Sequence, residues 1–372
     1  MSATDETEEG PVELDFTVDD SDVSNLLESV AEVCRLFLQT RLKGEQTPEL
    51  EVRQLSSATT NLGFRVRGGD ALYFVRVFGS GTEVLYSRAR ERAVMAVASR
   101  HQIGPQLYAT FANGIIAEFL LGLELETHEV RTPARSAQIA REVARWHKLD
   151  PKVLFDESTM ELFAEHSFAT LARWMAEAER LMAERPEEAP AAHWAPLWPE
   201  LQREVASLTH TLLALLQGGE GEKEGPALVF SHNDLNPGNM MVRDEQLIFI
   251  DVETASLNFH PFDLGNFCNE WCGVLTTEWS HFPTEQQQRL FVAAYLEELH
   301  GAPPSQEQLD LLWCEVHYFS LFSNLFWCVW AVIQAFHSHI AHFSHLSYSK
   351  MRWSRYQMVK STFDLLSPPC AE

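Results

Sequence analysis

Ser231-His-Asn-Asp-Leu-Asn-Pro-Gly-Asn239, followed closely by Leu247-Ile-Phe-Ile-Asp-Val-Glu253, decides how this chain folds. The two stretches set Asp234, Asn239 and Asp251 within eighteen positions. Ala227-Leu-Val-Phe230 precedes the first acid and Leu247 to Ile250 precedes the second, so each acid follows an apolar run of strand length. That is the layout phosphoryl transfer needs when it uses metal-bound ATP. One carboxylate orients the attacking hydroxyl, an amide oxygen from a short loop reaches a metal, and a strand end delivers the second metal-binding carboxylate. A polar turn with no chemical task would not need this clustering.

The 372 residues are enough for two lobes, and 45% apolar with 22% charged residues is the composition of an ordinary folded protein. The net charge is -25, from 53 acids against 28 bases. Such a balance argues against nucleic acid as a partner, because affinity there comes from Lys and Arg on phosphates. It steers weakly toward a cationic substrate. Residues 1–22 hold nine acids and no base, and read as a solvated, disordered tail. The same segment lacks the basic and apolar regions of a secretory signal, so a cytoplasmic location is expected. Six cysteines show no metal-site spacing, Cys268 and Cys272 lying four apart, and reduced thiols are expected. Val316 to Ser349 contains no Asp, Glu, Lys or Arg, but His317, Asn324, Gln334, His337 and His339 interrupt it. Those groups make insertion costly, so a buried helix is expected rather than stable membrane insertion.

Organisation follows from periodicity. Asn25 to Leu42 is spaced as a helix, and Leu50–Leu55, Leu62–Val66 and Ala71–Phe78 as strands, with Gly68-Gly-Asp70 closing a hairpin. Thr82 can cap a helix running to His101, and Gln106–Phe111 with Ile115–Leu120 make another hairpin. Helices are expected over 133–148 and 160–184, then a variable insertion over 185–226 whose Gly218–Gly225 stretch is a flexible loop. The expected fold is α+β and bilobal, protein-kinase-like. A small antiparallel-sheet lobe (23–122) carries ATP binding, and a large mainly helical lobe (123–372) carries catalysis and substrate binding.

Roles can then be assigned. Asp234 is the candidate to take or orient the proton of a substrate hydroxyl, as in the protein-kinase catalytic loop, which has the same Asp-to-Asn spacing but an Arg where Asn233 stands. Asn239 and Asp251 are the candidate magnesium ligands. His232 braces the loop through a backbone hydrogen bond or, alternatively, acts in catalysis. Arg76 sits mid-strand among apolar residues and therefore needs an anion. It either reaches solvent from an edge strand or contacts ATP phosphates while held by Glu91. The turn Ser56–Asn61 can cover phosphates with its N–H groups, and Glu118 with Leu120 ends the lobe as the adenine hinge.

His232-Asn-Asp-Leu-x-x-x-Asn239, Ile250-Asp-x-Glu253, Phe262-Asp-Leu-Gly-Asn-Phe-x-Asn-Glu-Trp271 and Phe326-Trp-x-x-Trp330 together resemble the choline/ethanolamine kinase family. The resemblance spans about 50–356, poorly over 160–225. Val75-Arg-Val-Phe-Gly79, Gly104-Pro-Gln-Leu-Tyr108 and Asn269-Glu-x-x-Gly-Val274 look closer to its ethanolamine branch. The resemblance implies ATP- and Mg2+-dependent phosphorylation of ethanolamine, the first step of the CDP-ethanolamine route to phosphatidylethanolamine. The alternatives are a choline or dual choline/ethanolamine kinase, or another aminoglycoside-phosphotransferase-like kinase. By position, Asp234 matches the catalytic Asp, Asn239 and Asp251 the metal ligands, Arg76 the ATP-phosphate Arg, and Glu118 and Leu120 the hinge. Glu270, Trp327, Trp330 and Tyr348 match residues around the substrate's ammonium. Trp327 and Trp330 share a helix face and can offer rings to a cation, although plain core packing reads the same way. Two departures stand out: Thr254 where the family usually has an aromatic, which leans toward ethanolamine, and Ala58 where the phosphate loop usually has Gly. The partners implied are a small amino alcohol and ATP. The oligomeric state is left open, a homodimer included.

Overall fold

The computed structural model describes residues 10–19, 22–42, 46–55, 61–78, 88–155, 157–163, 165–217, 228–275, 279–337 and 343–366. The expected phosphate turn 56–60, with Ala58, the Thr82 cap and the loop 218–225 lie outside those residues. Two compact units divide at Gly122 and Leu123.

The first unit runs β1 (Val12–Leu14), α1 (Val23–Leu42), β2 (Leu50–Leu55), β3 (Leu62–Gly68), β4 (Ala71–Val77), α2 (Arg88–Arg100), β5 (Leu107–Phe111) and β6 (Gly114–Glu118). Its six-stranded sheet has the order β1-β5-β6-β4-β3-β2. All pairs are antiparallel except β1 with β5, which is parallel. Part of the expected acidic tail is therefore ordered. Val12, Leu14, Phe16 and Val18 alternate with polar residues, and Leu14 and Val18 enter a core with Val30, Phe37, Phe64 and Val75. Asn113 holds this segment by bonding Val18 twice, Oδ1 accepting from its N–H at 2.8 Å and Nδ2 donating to its carbonyl at 2.9 Å. The density of acids hid a period-two apolar pattern. Strand β4 lies between β3 and β6, so Arg76 is not on an edge strand.

The second unit contains β7 (Leu123–Glu124), α3 (Pro133–His147), α4 (Pro151–Leu154), α5 (Glu157–Leu162), α6 (Ser167–Glu184), α7 (Ala189–Trp194), α8 (Trp198–Gln217), β8 (Leu228–Ser231), β9 (Met240–Arg243), β10 (Gln246–Phe249), β11 (Ser256–Phe259), α9 (His260–Glu270), α10 (Glu285–His300), α11 (Gln306–His337) and α12 (His345–Leu366). The helix expected over 160–184 is two helices. The break before α6 follows from Asn258, whose Oδ1 accepts from the Ser167 N–H at 3.3 Å and from its hydroxyl at 2.9 Å. Within the interval 185–226, the described residues 185–217 are more ordered than composition suggested. Trp198, Leu201, Val205, Leu208 and Leu212 recur every three or four residues and are buried, which makes α8 an amphipathic packed helix. Trp194 Nε1 donates to Ser349 Oγ at 3.0 Å, and Lys360 pairs with Glu204 at 2.6 Å, tying α7 and α8 to α12.

The long apolar segment is α11, 94% of whose most hydrophobic window is buried inside the protein. It forms the core of the unit, packing on α6, α8, α9 and α12. Gly265 lets α9 press directly on its backbone: a Cβ there would stand 2.7 Å from Ser320 N and 2.8 Å from Val316 O. Cys34, Cys268, Cys272 and Cys328 are free and buried, whereas Cys314 is disulfide-bonded, against the expectation of fully reduced thiols.

Candidate active site

In the first unit the charged residues converge on Glu91, which is fully buried on α2. Arg76 Nη1 lies 3.0 Å from its Oε1 and Arg88 Nη1 lies 3.2 Å from its Oε2. Arg88 Nη1 also donates to Asn61 Oδ1 at 3.3 Å, and its guanidinium stacks 4.4 Å over the Phe78 ring. Two guanidinium groups share this carboxylate, and guanidinium N–H forks are the donors that phosphate oxygens accept from. Sequence reasoning missed Arg88, although its spacing three residues before Glu91 was a usable signal. Glu118 has its backbone N–H on Gln106 O at 2.7 Å and its carboxylate on Gln106 N at 3.2 Å; Leu120 is buried.

In the second unit the catalytic loop hangs between β8 and β9. Asn233 and Asp251 both adopt left-handed backbone, with φ of 68° and 59°, a conformation Asn and Asp tolerate better than most residues. That explains Asn at position 233: its Nδ2 donates to Thr254 O at 2.9 Å and Ser256 Oγ at 2.8 Å, and its Oδ1 accepts from Asn258 at 2.7 Å. Thr254 in turn donates its hydroxyl to His232 O at 2.9 Å. His232 Nε2 donates to Ile250 O at 2.9 Å, so Nδ1 is the acceptor for the Asp234 N–H at 3.3 Å. Burial holds this imidazole below its ordinary pKa, which suits a neutral brace.

Asp263, on α9 and almost wholly buried, anchors the loop from below. Its Oδ1 accepts from Asn233 N at 2.6 Å, and its Oδ2 accepts from His232 N at 2.8 Å and His147 Nε2 at 3.1 Å. Asn239 donates through Nδ2 to Asp234 O at 2.9 Å and Oδ2 at 3.0 Å, which turns its own Oδ1 elsewhere. The Ile250 N–H bonds Asn239 O at 2.9 Å and so carries Asp251 to the same loop. Burial, then the charges of Asp251 and Glu270, push the Asp234 carboxyl up to about 8.

Beside these acids stands an aromatic cluster. Trp327 and Trp330 meet edge to face at 5.5 Å, and Trp330 meets Tyr348 at 6.2 Å and His345 at 5.4 Å. Phe343 touches both Tyr348 and His345. Asn266 links this wall to the catalytic loop, its Nδ2 donating to Leu235 O at 3.1 Å while its Oδ1 accepts from Trp327 Nε1 at 2.8 Å. Glu270 is paired with Arg352, a residue sequence reasoning missed, and Arg352 Nε also donates to Tyr348 OH at 2.8 Å. The four-residue spacing from Tyr348 to Arg352 was the available signal. Asp234, Asp251, Glu270, Tyr348 and Arg352 thus form one electrostatic cluster. No group of three or more His, Cys, Asp or Glu side chains suited to a metal occurs among the described residues. The donor set present is instead one carboxylate and one amide oxygen. That suits magnesium, which keeps waters and phosphate oxygens as its remaining ligands.

Comparison with known proteins agrees with this arrangement. The family model for choline/ethanolamine kinase matches residues 52–357. A probable ethanolamine kinase of Arabidopsis thaliana is 29% identical over 95% of this chain and 91% of its own. Ethanolamine kinase 2 of Mus musculus is 30% identical over 79% of this chain and 71% of its own. The solved structure of a Plasmodium vivax ethanolamine kinase, 20% identical, superposes with a TM-score of 0.76 over 92% of this chain and 91% of its own, and shares the fold. The chain belongs to the choline/ethanolamine kinase family.

Proposed function

We infer that this protein transfers the γ-phosphoryl group of ATP to the hydroxyl of ethanolamine, giving phosphoethanolamine. The observation that carries the reading is the Glu270–Arg352–Tyr348 hydrogen-bonded set, which joins the Trp327, Trp330 and Tyr348 rings to a carboxylate whose charge reaches the half-buried Asp234. One end of such a pocket suits an ammonium and the other a reacting hydroxyl. The names of the relatives point the same way.

Asp234 would take the hydroxyl proton as its oxygen attacks the γ-phosphorus. Asn239 and Asp263 hold that carboxylate and its loop in place, and positioning supplies most of the rate in this chemistry. Arg76 and Arg88, spread by Glu91, would contact nucleotide phosphates. Asn239 Oδ1 and the Asp251 carboxylate would hold magnesium, which supplies charge neutralisation on the phosphates when bound. A bound cation and an ammonium substrate both favour the ionised form of Asp234, against the effect of burial.

A choline-preferring reading has one observation behind it, the aromatic wall, since quaternary ammonium binds ring faces. Thr254 counts against it, because its hydroxyl is spent on His232 O and it offers no ring. Coupled ADP release by the purified protein, over concentration series of ethanolamine and choline, tests the assignment. The expected kcat/KM is at least ~10-fold higher for ethanolamine, about the worth of one hydrogen bond to a charged group. Equal or reversed values overturn the preference. Unchanged turnover in Asp234→Ala overturns the assigned base.

A further inference from the structure

The buried pair on α9 and α12 distinguishes Glu270's two oxygens. Oε1 is bound by Arg352 Nη2, whereas Oε2 is fully buried and has no hydrogen-bond partner among the described residues. Glu270 is 1% exposed and Arg352 2%, so both groups are removed from bulk solvent. Nature rarely leaves a buried carboxylate oxygen unsatisfied, because desolvation is costly without a donor. Arg352 Nη2 bonds Tyr348 OH as well as Glu270, so the carboxylate stands beside the aromatic wall, and its charge reaches Asp234. Oε2 is where an N–H donor from a ligand belongs.

Arg352 makes that acceptor specific. Its fork holds Glu270 Oε1 with Nη2, and Tyr348 OH with Nε at 2.8 Å and Nη2 at 2.5 Å, fixing the polar and the aromatic side of the pocket together. Its charge cancels that of Glu270, so the pair exerts little general pull on cations and discriminates by hydrogen bonding instead. We propose that Arg352 is a positioning residue that sets amine selectivity: it orients Glu270 so that Oε2 accepts a hydrogen bond only an ammonium bearing an N–H can donate. The proposal rests on the amino-alcohol kinase reading above and deepens it to a substrate class, protonated primary to tertiary amino alcohols. A quaternary ammonium leaves Oε2 unpaired, and sites built around a hydrogen bond reject ligands that lack it more strongly than apolar pockets reject a methyl group.

The mechanism has a signature of its own. Along ethanolamine, N-methylethanolamine, N,N-dimethylethanolamine and choline, the last N–H disappears only at the final step. The full-length protein is assayed with all four, with KM and kcat resolved. Wild type is expected to show its steepest loss, about 10- to 100-fold in kcat/KM and mainly in KM, between the dimethyl compound and choline. In Arg352→Lys, which keeps the charge but not the fork, that step should shrink to less than about 3-fold. Tyr348→Phe, which keeps the ring but removes Arg352's second anchor, should shrink it too, and serves if the lysine variant does not fold. A wild-type rate that rises steadily with methylation overturns the proposal, as does an unmoved step in either variant. If wild type phosphorylates none of the four, the activity reading itself is overturned and the proposal goes with it; the two failures are distinct.

Discussion

Replacing Asp263 by Asn isolates how the catalytic loop is held. The change is nearly isosteric, yet the carboxylate accepts three hydrogen bonds, at 2.6, 2.8 and 3.1 Å, from two backbone N–H groups and an imidazole. An amide has one oxygen and one NH2. If the NH2 replaces Oδ1, the Asn233 N–H faces another donor; if it replaces Oδ2, both His232 N–H and His147 Nε2–H do. One orphaned buried donor costs ~1–3 kcal/mol, and the surviving bonds lose their charge assistance, so about 3 kcal/mol is expected in all. For a unit of 250 residues, Leu123 to Glu372, each kcal/mol shifts Tm by roughly 2–4 °C, which gives about 6–12 °C. Turnover should fall further than stability implies, by about 10²-fold at a temperature where the variant is folded, because the loop that aims Asp234 shifts. Calorimetry and steady-state kinetics on the same preparation measure both. A Tm within about 1 °C of wild type together with unchanged kcat would refute the claim that Asp263 carries the loop.

Gly265→Ala is expected to cost roughly 1–3 kcal/mol, since its Cβ would meet the α11 backbone at 2.7 Å. It should also raise KM for the amino alcohol, because Asn266 and Glu270 ride on the same helix; an unchanged Tm would show that α9 has room to shift. Acid stability supplies a second test. Burial pushes the His345 pKa from its ordinary 6.5 down to about 4. Between those values the unfolded chain binds a proton that the native ring refuses, so its contribution to stability is present above pH 6.5 and is lost as pH falls toward 4. In His345→Phe the dependence of stability on pH across that window should be shallower by about one proton, and an identical slope would mean the native ring titrates normally.

Much of the site lay within reach of local pattern. The order of strand, polar loop and strand places Asp234, Asn239 and Asp251, and three-residue spacing on an apolar helix puts Trp327 and Trp330 on one face; both are short-range properties. Other features were legible but masked. The period-two pattern of Val12 to Val18 was hidden under nine acids, and the α8 stripe was hidden by a composition that read as an insertion.

The sequence by itself determined most of the sheet strands and long helices, though not β1, α7 or α8, as well as which acids follow the strands and which helix is apolar enough to form the core. Only the tertiary structure decided that Asp263 receives the loop's backbone from thirty residues away, that Arg88 joins Arg76 on Glu91, and that Arg352 takes one oxygen of Glu270 across 82 positions. Periodicity records which side of an element avoids water. The partner of a buried charge is selected by packing between distant elements, here by a glycine that lets α9 lie against α11, and no local spacing encodes that choice.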